Sequence, residues 1–387
     1  MPYETLLRLD FGDPGGDPDG LLAGWEAPAG GKRWARGRRS RVTLPRPPGG
    51  DGVVLAVVVD PYLVPAVLPQ QTLRVLANGR TLRLMRPSRR TVVLARIDAA
   101  TLDLAPSLDV TFEHPDIVQP NMVSSSSDSA GYSIGVLSLA LLRDGPASRP
   151  AAARAAAPSP PPPAPEALDD TQLMMQFASL GDNCEFGMAQ RAAGAEPSDL
   201  LRFTGTEPPG LLRALEEDFA CIADPEYLDF DIHANGTLHE YILHVRRYTL
   251  DMHTRVLEGS MPVERLIGRE IKKLSLLHRL FLEDLGAGHR IFVYKRNDGI
   301  DAVFIGALHR ALQRHGRNAL MAVSLSDAAH PPGTVEPVAD GLYRGYIDRL
   351  SRYDNAASPP SPVWLDLCRR CYGMWHARLP GAGVAAA

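Results

Sequence analysis

The sequence predicts a multidomain protein with an N-terminal all-β sandwich over residues 1–145 and a C-terminal α/β domain over residues 171–380. Three observations support this division. The chain has 387 residues, more than one domain usually holds. Residues 146–170 are rich in alanine and proline, which is typical of a semi-rigid linker. Short apolar stretches broken by Gly and Pro precede this segment, whereas strand-like and helix-like stretches alternate after it.

The composition is that of a chain that folds around a core. Hydrophobic residues make up 45% and charged residues 22%, which excludes wholesale disorder. With 41 basic and 45 acidic residues the net charge is −4; because general nucleic-acid binding needs a basic excess, that class is not expected. There is no apolar run long enough for a membrane span, no signal-peptide pattern, and only four cysteines. We expect a cytoplasmic protein with reduced thiols.

The strand predictions for the N-terminal part rest on β-branched runs and on one turn. Residues 53–59 form a continuous apolar run, as expected for a strand that is buried on both faces. The dipeptide Asn78-Gly79 supplies the two residues with positive φ that a type I′ hairpin needs. Since no helical periodicity interrupts these stretches, they indicate a sandwich. The predicted strands are residues 53–59, 73–77, 80–84, 108–112 and 132–142.

After the linker, strands and helices alternate. A strand, a helix and a strand over residues 290–325 predict a βαβ unit, and therefore a sheet that is at least partly parallel. Helices are expected from Cys184, from Pro208 and, as a long amphipathic helix capped by its serine, from Ser260. The remaining expected strands are residues 174–180, 241–245 and 248–256.

The most informative string is SLGDNCEFG at residues 179–187. It places Cys184 where a strand turns into a helix, whose dipole and N–H groups favour a thiolate and can stabilise an oxyanion. Asn183 is the candidate oxyanion donor and Asp182 a candidate substrate-binding residue, although the charges of Asp182 and Glu185 oppose thiolate formation. The alternative is an inert buried cysteine beside a well-capped helix.

A nucleophilic thiol needs a base, and two histidines compete for that role. In the strand at residues 248–256, His253 shares the less apolar face with Asp251, from which it could reach a cleft. Asp327 and His330 lie on a loop after a strand, where α/β proteins place ligands, and could form an orienting carboxylate and a base. The alternatives are an ordinary surface histidine and a simple turn that ends in two prolines.

Lys295 and the pair Cys368 and Cys371 are further residues with both a functional and a structural interpretation. Lys295 follows a predicted strand and is a candidate to bind an anionic substrate group, with a solvated strand end as the alternative. Cys368 and Cys371 form a lone CxxC pair, which is weak evidence for zinc. They share one helical stripe with two tryptophans, so we expect both in a core.

Neither a metal nor a cofactor is predicted. The sequence lacks a glycine-rich phosphate loop and the nucleophile elbow of α/β-hydrolases. Several histidines outside the candidate site do not combine with a carboxylate at a spacing that would place ligands on one helix face. These are His233, His239 and His244.

The string SLGDNC at residues 179–184 resembles the opening of a bacterial family of uncharacterised proteins described as papain-like cysteine peptidases. The resemblance covers residues 175–325. It implies Cys184 as the nucleophile and His253 as its base, with a peptide or related amide as substrate. Three departures stand against it. The glutamine that such enzymes place shortly before the cysteine is missing, so Asn183 would have to donate to the oxyanion. No clear third residue orients His253, since Asp251 is only its neighbour on the same strand face, and a βαβ unit is not expected in a papain-like fold.

Two further resemblances keep other functions open. The turn at residues 181–184 looks like the GDS opening of SGNH esterases, in which Asp327 and His330 would supply the D-x-x-H pair, but the serine is missing. The N-terminal part looks like galactose-binding-like modules, and Trp25 and Trp34 could stack on a sugar or anchor the core. A non-catalytic protein that binds a glycan or a partner in surface-polysaccharide assembly is therefore the alternative to an enzyme acting on a peptide or glycan-linked substrate. The oligomeric state stays open.

Overall fold

The computed structural model describes residues 4–15, 21–48, 52–143, 162–353 and 359–379. The described chain is rich in β-structure, with three sheets and a smaller number of helices, as the sequence predicted at this level. It divides into two compact units, of which the first comprises residues 1–148, 223–244 and 254–272 and the second comprises the rest. Most of the predicted linker, residues 146–170, lies outside the described residues.

The strands are numbered in chain order. They are β1 (Thr5–Asp10), β2 (Leu22–Ala23), β3 (Arg33–Trp34), β4 (Arg39–Pro45), β5 (Val53–Pro61), β6 (Leu73–Ala77), β7 (Arg80–Met85), β8 (Thr91–Ile97), β9 (Ser107–Glu113), β10 (Ile134–Arg143), β11 (Phe177–Ser179), β12 (Thr204–Thr206), β13 (Leu228–Asn235), β14 (Leu238–Val245), β15 (Leu250–Leu257), β16 (Ile291–Lys295), β17 (Ala319–Leu325), β18 (Val335–Ala339) and β19 (Leu342–Ile347).

The helices are numbered in the same way. They are α1 (Ala99–Leu102), α2 (Pro120–Val123), α3 (Asp170–Met174), α4 (Glu185–Ala192), α5 (Pro208–Glu216), α6 (Val263–Ala287), α7 (Ala302–Gln313) and α8 (Val363–His376). Within the part of the chain that the structure describes, none of them is both long and apolar enough to cross a membrane.

Two antiparallel arrays of strands share one hydrophobic core in the first unit. One follows the order β1-β10-β5-β8-β13-β14, with β3 paired to β10, and the other follows β2-β4-β9-β6-β7. Val57, Val75 and Val110 come from both arrays and are fully buried in this core. Between β6 and β7, Asn78 and Gly79 have φ angles of 46° and 82°, so the predicted type I′ turn is confirmed.

The second unit contains a five-stranded sheet with the order β11-β16-β17-β19-β18. The first four strands are parallel and only the edge strand β18 is antiparallel, so β16, α7 and β17 form the predicted βαβ unit. In the same unit, β12 pairs antiparallel with residues 250–252 of β15. Because the four strands are parallel, the loops after them lie at one edge of the sheet, where α/β proteins place their ligands.

The CxxC pair belongs to a buried helix face in this unit. Cys368 and Cys371 lie on α8 and are 0% exposed in the core beside Trp364 and Trp375, as the helical stripe predicted. Burial raises the pKa of both thiols, so they stay protonated and unreactive at neutral pH.

Two predicted element boundaries are wrong. Residues 174–180 are not one strand, because Met174 is the last residue of α3 and β11 is only three residues long. The cause is a capping box between Asp169 and Gln172, which starts a helix in this segment. Ser260 does not cap α6, which begins three residues later; its hydroxyl donates instead to the carbonyl oxygen of Leu257.

Candidate active site

The turn after β11 presents Cys184 at the N-terminus of α4. Gly181 and Asp182 both have positive φ angles, 94° and 77°, and Cys184 is the residue that precedes the first helical position. Gly181 is required here, since a Cβ atom would lie 2.3 Å from Cγ2 of Thr206. Cys184 is half-buried. The structure therefore contains the strand, turn, cysteine and helix that the sequence predicted.

A buried ammonium group holds the two carboxylates that flank Cys184. Nζ of Lys295 lies 2.9 Å from Oδ2 of Asp182 and 3.2 Å from Oε2 of Glu185, and it donates to Oδ1 of Asn297 at 2.7 Å. Lys295 is 1% exposed. Because Nζ lies within 3.2 Å of three protein oxygens and the side chain has almost no exposed surface, it is not accessible to the anionic substrate group that the sequence suggested. Lys295 is a structural cation at this position.

Glu185 is anchored on its other side as well. Its carboxylate accepts hydrogen bonds from the backbone N–H of Ser351 at 3.0 Å and from Nε1 of Trp364 at 3.1 Å. The side chain is 4% exposed. These contacts fix the first turn of α4, and therefore the backbone position of Cys184, against α8 and the segment after β19.

A cavity of about 290 Å³ opens beside Asp182. The hydroxyl of Tyr353 donates to Oδ1 of Asp182 at 2.8 Å, and burial, followed by this hydrogen bond, raises the pKa of Tyr353. Arg296 lies 3.2 Å from Glu207 and 3.5 Å from Asp298. Asp182 thus lies at the wall of a polar cavity. The other charged and aromatic residues that line this cavity are Glu207, Asp251, Arg296, Asp298 and Tyr353.

One face of β15 is directed toward the turn after β11. Asp251 lies opposite Gly205 in the β12–β15 ladder, and a Cβ atom on Gly205 would lie 3.6 Å from Cβ of Asp251 and 3.9 Å from the carbonyl oxygen of Asp182. His253 shares this face because side chains alternate along a strand. It is half-buried, whereas Met252 on the opposite face is 6% exposed. The predicted polar face of this strand is present.

Asn183 binds the backbone at the start of α4 through its side-chain oxygen. Its Oδ1 accepts the backbone N–H of Glu185 at 2.9 Å, so that N–H group is engaged and is not free for an oxyanion. The side-chain Nδ2 of Asn183 is buried and has no hydrogen-bond partner among the residues that the structure describes. The side-chain amide, oriented through its oxygen, is therefore the donor that this turn offers.

Asp327 and His330 form a local pair after β17. Nδ1 of His330 lies 2.8 Å from Oδ1 of Asp327, which also accepts the backbone N–H groups of Ala329 and His330. Nε2 of His330 lies 3.6 Å from Glu336, and the ring stacks on Tyr346 with centroids 4.2 Å apart. Both ring nitrogens therefore face carboxylates, which fits a turn-stabilising role better than that of a base facing a nucleophile.

The sequence did not reveal Tyr353. The predicted strands ended at residue 325, so β19 and the loop after it were missing. The alternating segment Leu342–Ile347 is the signal that could have found a further strand, and with it a polar loop at the same edge of the sheet.

The two N-terminal tryptophans are both partly buried. Trp25 packs edge-to-face against Phe11 and Phe112, with centroids 5.0 and 5.7 Å apart, and so anchors the core of the first unit. Trp34 makes edge-to-face contacts with two tyrosines at 5.8 and 5.3 Å.

No family model matches the sequence, and no curated protein matches it. Among solved structures, the C-terminal CBM6 of LamC, a marine laminarinase from Zobellia galactanivorans, is 6% identical over 36% of this chain and 100% of that chain, with a TM-score of 0.23. The catalytic domain of Agl-KA is 16% identical over 50% of this chain, with a TM-score of 0.22; the match spans 34% of that chain. At such TM-scores, neither likeness assigns a function to this chain.

Proposed function

We propose that the second unit is a thiol hydrolase in which Cys184 is the nucleophile and His253 is its base. The observation that carries this proposal is that Asp251 lies beside the turn that ends in Cys184, on the strand face that it shares with His253. A cysteine nucleophile requires a base that approaches it from a separate element and is itself oriented by a third group. The substrate class we propose is a peptide or a related amide.

The charges around Cys184 are compatible with a thiolate. Asp182 and Glu185 alone would raise the pKa of a neighbouring thiol, because like charges disfavour the anion. Lys295 lies within 3.2 Å of both carboxylates, and Arg296 lies 4.0 Å from Asp182. Lys295 therefore offsets part of the charge of the two carboxylates, whereas Arg296 is shared with Glu207 at 3.2 Å and Asp298 at 3.5 Å. The N-terminus of α4 adds a favourable electrostatic contribution to the thiolate.

The proposed reaction follows from these positions. His253 takes the proton from Sγ of Cys184, and the thiolate attacks the carbonyl carbon of the amide. Nδ2 of Asn183 donates to the oxyanion of the tetrahedral intermediate. The intermediate collapses, the amine leaves with the proton from His253, and water then hydrolyses the thioester. Asp251, on the same strand face, orients the imidazole.

The proposal includes a finer view of the architecture. We take the first unit as a β-sandwich, since its two antiparallel arrays share one core, and the second as an α/β domain, since four of its five main strands are parallel. In this view the catalytic groups belong to the second unit.

The test is hydrolysis of a library of internally quenched peptides by the full chain. Cys184→Ser should abolish turnover, and His253→Ala should lower it by about 10²–10⁴-fold. The matched control is Cys221→Ser, which changes a second half-buried cysteine and should leave the rate unchanged. Equal turnover by wild type and Cys184→Ser would exclude the thiol mechanism. Loss of turnover in His330→Ala but not in His253→Ala would favour the base at residue 330 instead.

A further inference from the structure

Three residues of the first unit bring potential metal ligands together on the β13–β14 hairpin. Asp231 and His233 are two residues apart on β13 and therefore share one face of the strand, and His244 comes from the neighbouring strand β14. One ligand atom from each residue lies within 4.8 Å of the other two. All three side chains are partly buried, and none belongs to the candidate active site.

The spacing within this group is close to that of a metal site. Nε2 of His244 lies 3.3 Å from Oδ2 of Asp231. In a tetrahedral zinc site with bonds of about 2.0–2.1 Å, the ligand atoms are about 3.3–3.4 Å apart. Two of the ligands therefore already have the required separation. From a separation of at most 4.8 Å, His233 would have to move its ring nitrogen by roughly 1–1.5 Å to complete such a tetrahedral set.

Asp231 is oriented by a second contact. Its Oδ1 accepts a hydrogen bond from Oγ1 of Thr91 at 2.7 Å, and Thr91 is its partner across the β8–β13 ladder. This bond leaves Oδ2 directed at His244. Metal-binding carboxylates are commonly held by such outer hydrogen bonds.

Arg89 is the group that a metal ion would have to displace. Its guanidinium nitrogen lies 2.7 Å from Nε2 and 3.0 Å from Nδ1 of His233, and its Nε lies 3.8 Å from Oδ2 of Asp231. The Arg89 side chain is 43% exposed, so it can turn into solvent. A dication bound by three ligands would then replace one guanidinium charge beside the carboxylate.

We propose that Asp231, His233 and His244 form a binding site for Zn²⁺, with water completing the coordination. Two imidazole nitrogens and one carboxylate are a common donor set for this ion, whereas Mg²⁺ and Ca²⁺ prefer oxygen ligands. This proposal revises the sequence-based expectation of no metal, which considered ligand spacing on helices only. It is independent of the proposed thiol chemistry.

The test is Zn²⁺ binding by the full chain after treatment with a chelator, measured by equilibrium dialysis. We expect one equivalent of Zn²⁺ and no Mg²⁺. His233→Ala and His244→Ala should each weaken binding by about tenfold or more, and Thr91→Val by about 10–100-fold. Arg89→Ala should strengthen it, because the competing cation is removed. The matched control is His239→Ala, which removes a histidine of the same β14 strand that lies outside the group, and it should not change the affinity.

Absence of stoichiometric Zn²⁺ binding would overturn the proposal, as would equal affinity in wild type and both histidine variants. Asp231→Asn provides a ligand variant of nearly unchanged shape in case a histidine variant fails to fold. Circular dichroism of the metal-free variants identifies such a failure. Binding that survives Asp231→Asn and both histidine substitutions would place the ion elsewhere and would equally refute this site.

Discussion

Nζ of Lys295 lies 2.9 Å from Oδ2 of Asp182, and the two residues are only 1% and 5% exposed. The contact joins the end of β16 to the turn after β11, two parallel strands that pair directly at Ser179 and Val293. Since the same ammonium group also lies 3.2 Å from Glu185, one buried cation compensates two buried carboxylates directly beside Cys184.

Removal of this cation should destabilise the second unit strongly. Lys295→Met would leave Asp182 and Glu185 buried without their shared ammonium partner, and loss of one member of a buried ion pair costs about 3–5 kcal/mol. Denaturant unfolding measures the change. Lys272→Met, at an exposed lysine, is the control and should alter stability by less than about 0.5 kcal/mol. Equal stabilities of the two variants would show that the buried contact contributes little.

Gly187 should be irreplaceable in α4. A Cβ atom there would lie 2.6 Å from the carbonyl oxygen of Arg202 and 2.7 Å from Cε1 of Phe203. Gly187→Ala should therefore displace the helix, destabilise the protein by about 1–3 kcal/mol, and slow alkylation of Cys184. Thermal unfolding and thiol alkylation measure the two effects.

Gly373→Ala on α8 is the matched control for this helix substitution. Apart from its chain neighbours and the backbone of its own helix, no heavy atom of the described residues lies within 4 Å of the position of its Cβ, so alanine should stabilise the helix by up to about 1 kcal/mol. A destabilisation of the same size at both glycines would refute the steric explanation for Gly187.

Stability should fall below neutral pH because of His114. Its ring is buried between the hydroxyls of Ser40 at 2.9 Å and Ser133 at 2.8 Å, and burial lowers the pKa of His114 to about 4. The unfolded residue titrates near 6.5, so the unfolded chain binds more protons between pH 6.5 and pH 4. The free energy of unfolding therefore decreases as the pH falls through this range.

The size of this effect can be isolated with His114→Gln, which cannot gain a proton. Between pH 7 and pH 4.5, wild type should lose about 2–3 kcal/mol more stability than the variant. Urea unfolding at the two pH values gives the difference. Parallel losses in the two proteins would mean that His114 does not account for the acid sensitivity.

Local features of the fold were predictable from the sequence, because they depend on neighbouring residues. The turn at Asn78-Gly79 has the predicted positive φ angles, and Cys184 precedes α4 as its residue pattern indicated. The alternation of apolar and polar residues around His253 likewise predicted the polar face of β15. In each case the signal lies within about ten residues of the feature.

Long-range contacts were not predictable in the same way. The burial of Lys295 beside Asp182 and Glu185 depends on the pairing of β11 with β16. The paired residues of these strands lie more than one hundred positions apart. Tyr353 reaches Asp182 from 171 residues away. The grouping of Asp231 with His244 needed the β13–β14 hairpin, for which the Asn-Gly dipeptide at residues 235–236 was an available signal.

The most direct test of the proposed thiol chemistry is the pH dependence of alkylation at Cys184, followed by mass spectrometry in wild type and His253→Ala, with Cys221 as an internal control. We predict that wild-type Cys184 alkylates with a midpoint well below the free-thiol value of about 8.5 and that the midpoint rises in His253→Ala. A Cys184 that reacts no faster than Cys221, with the same midpoint in both proteins, would contradict the account.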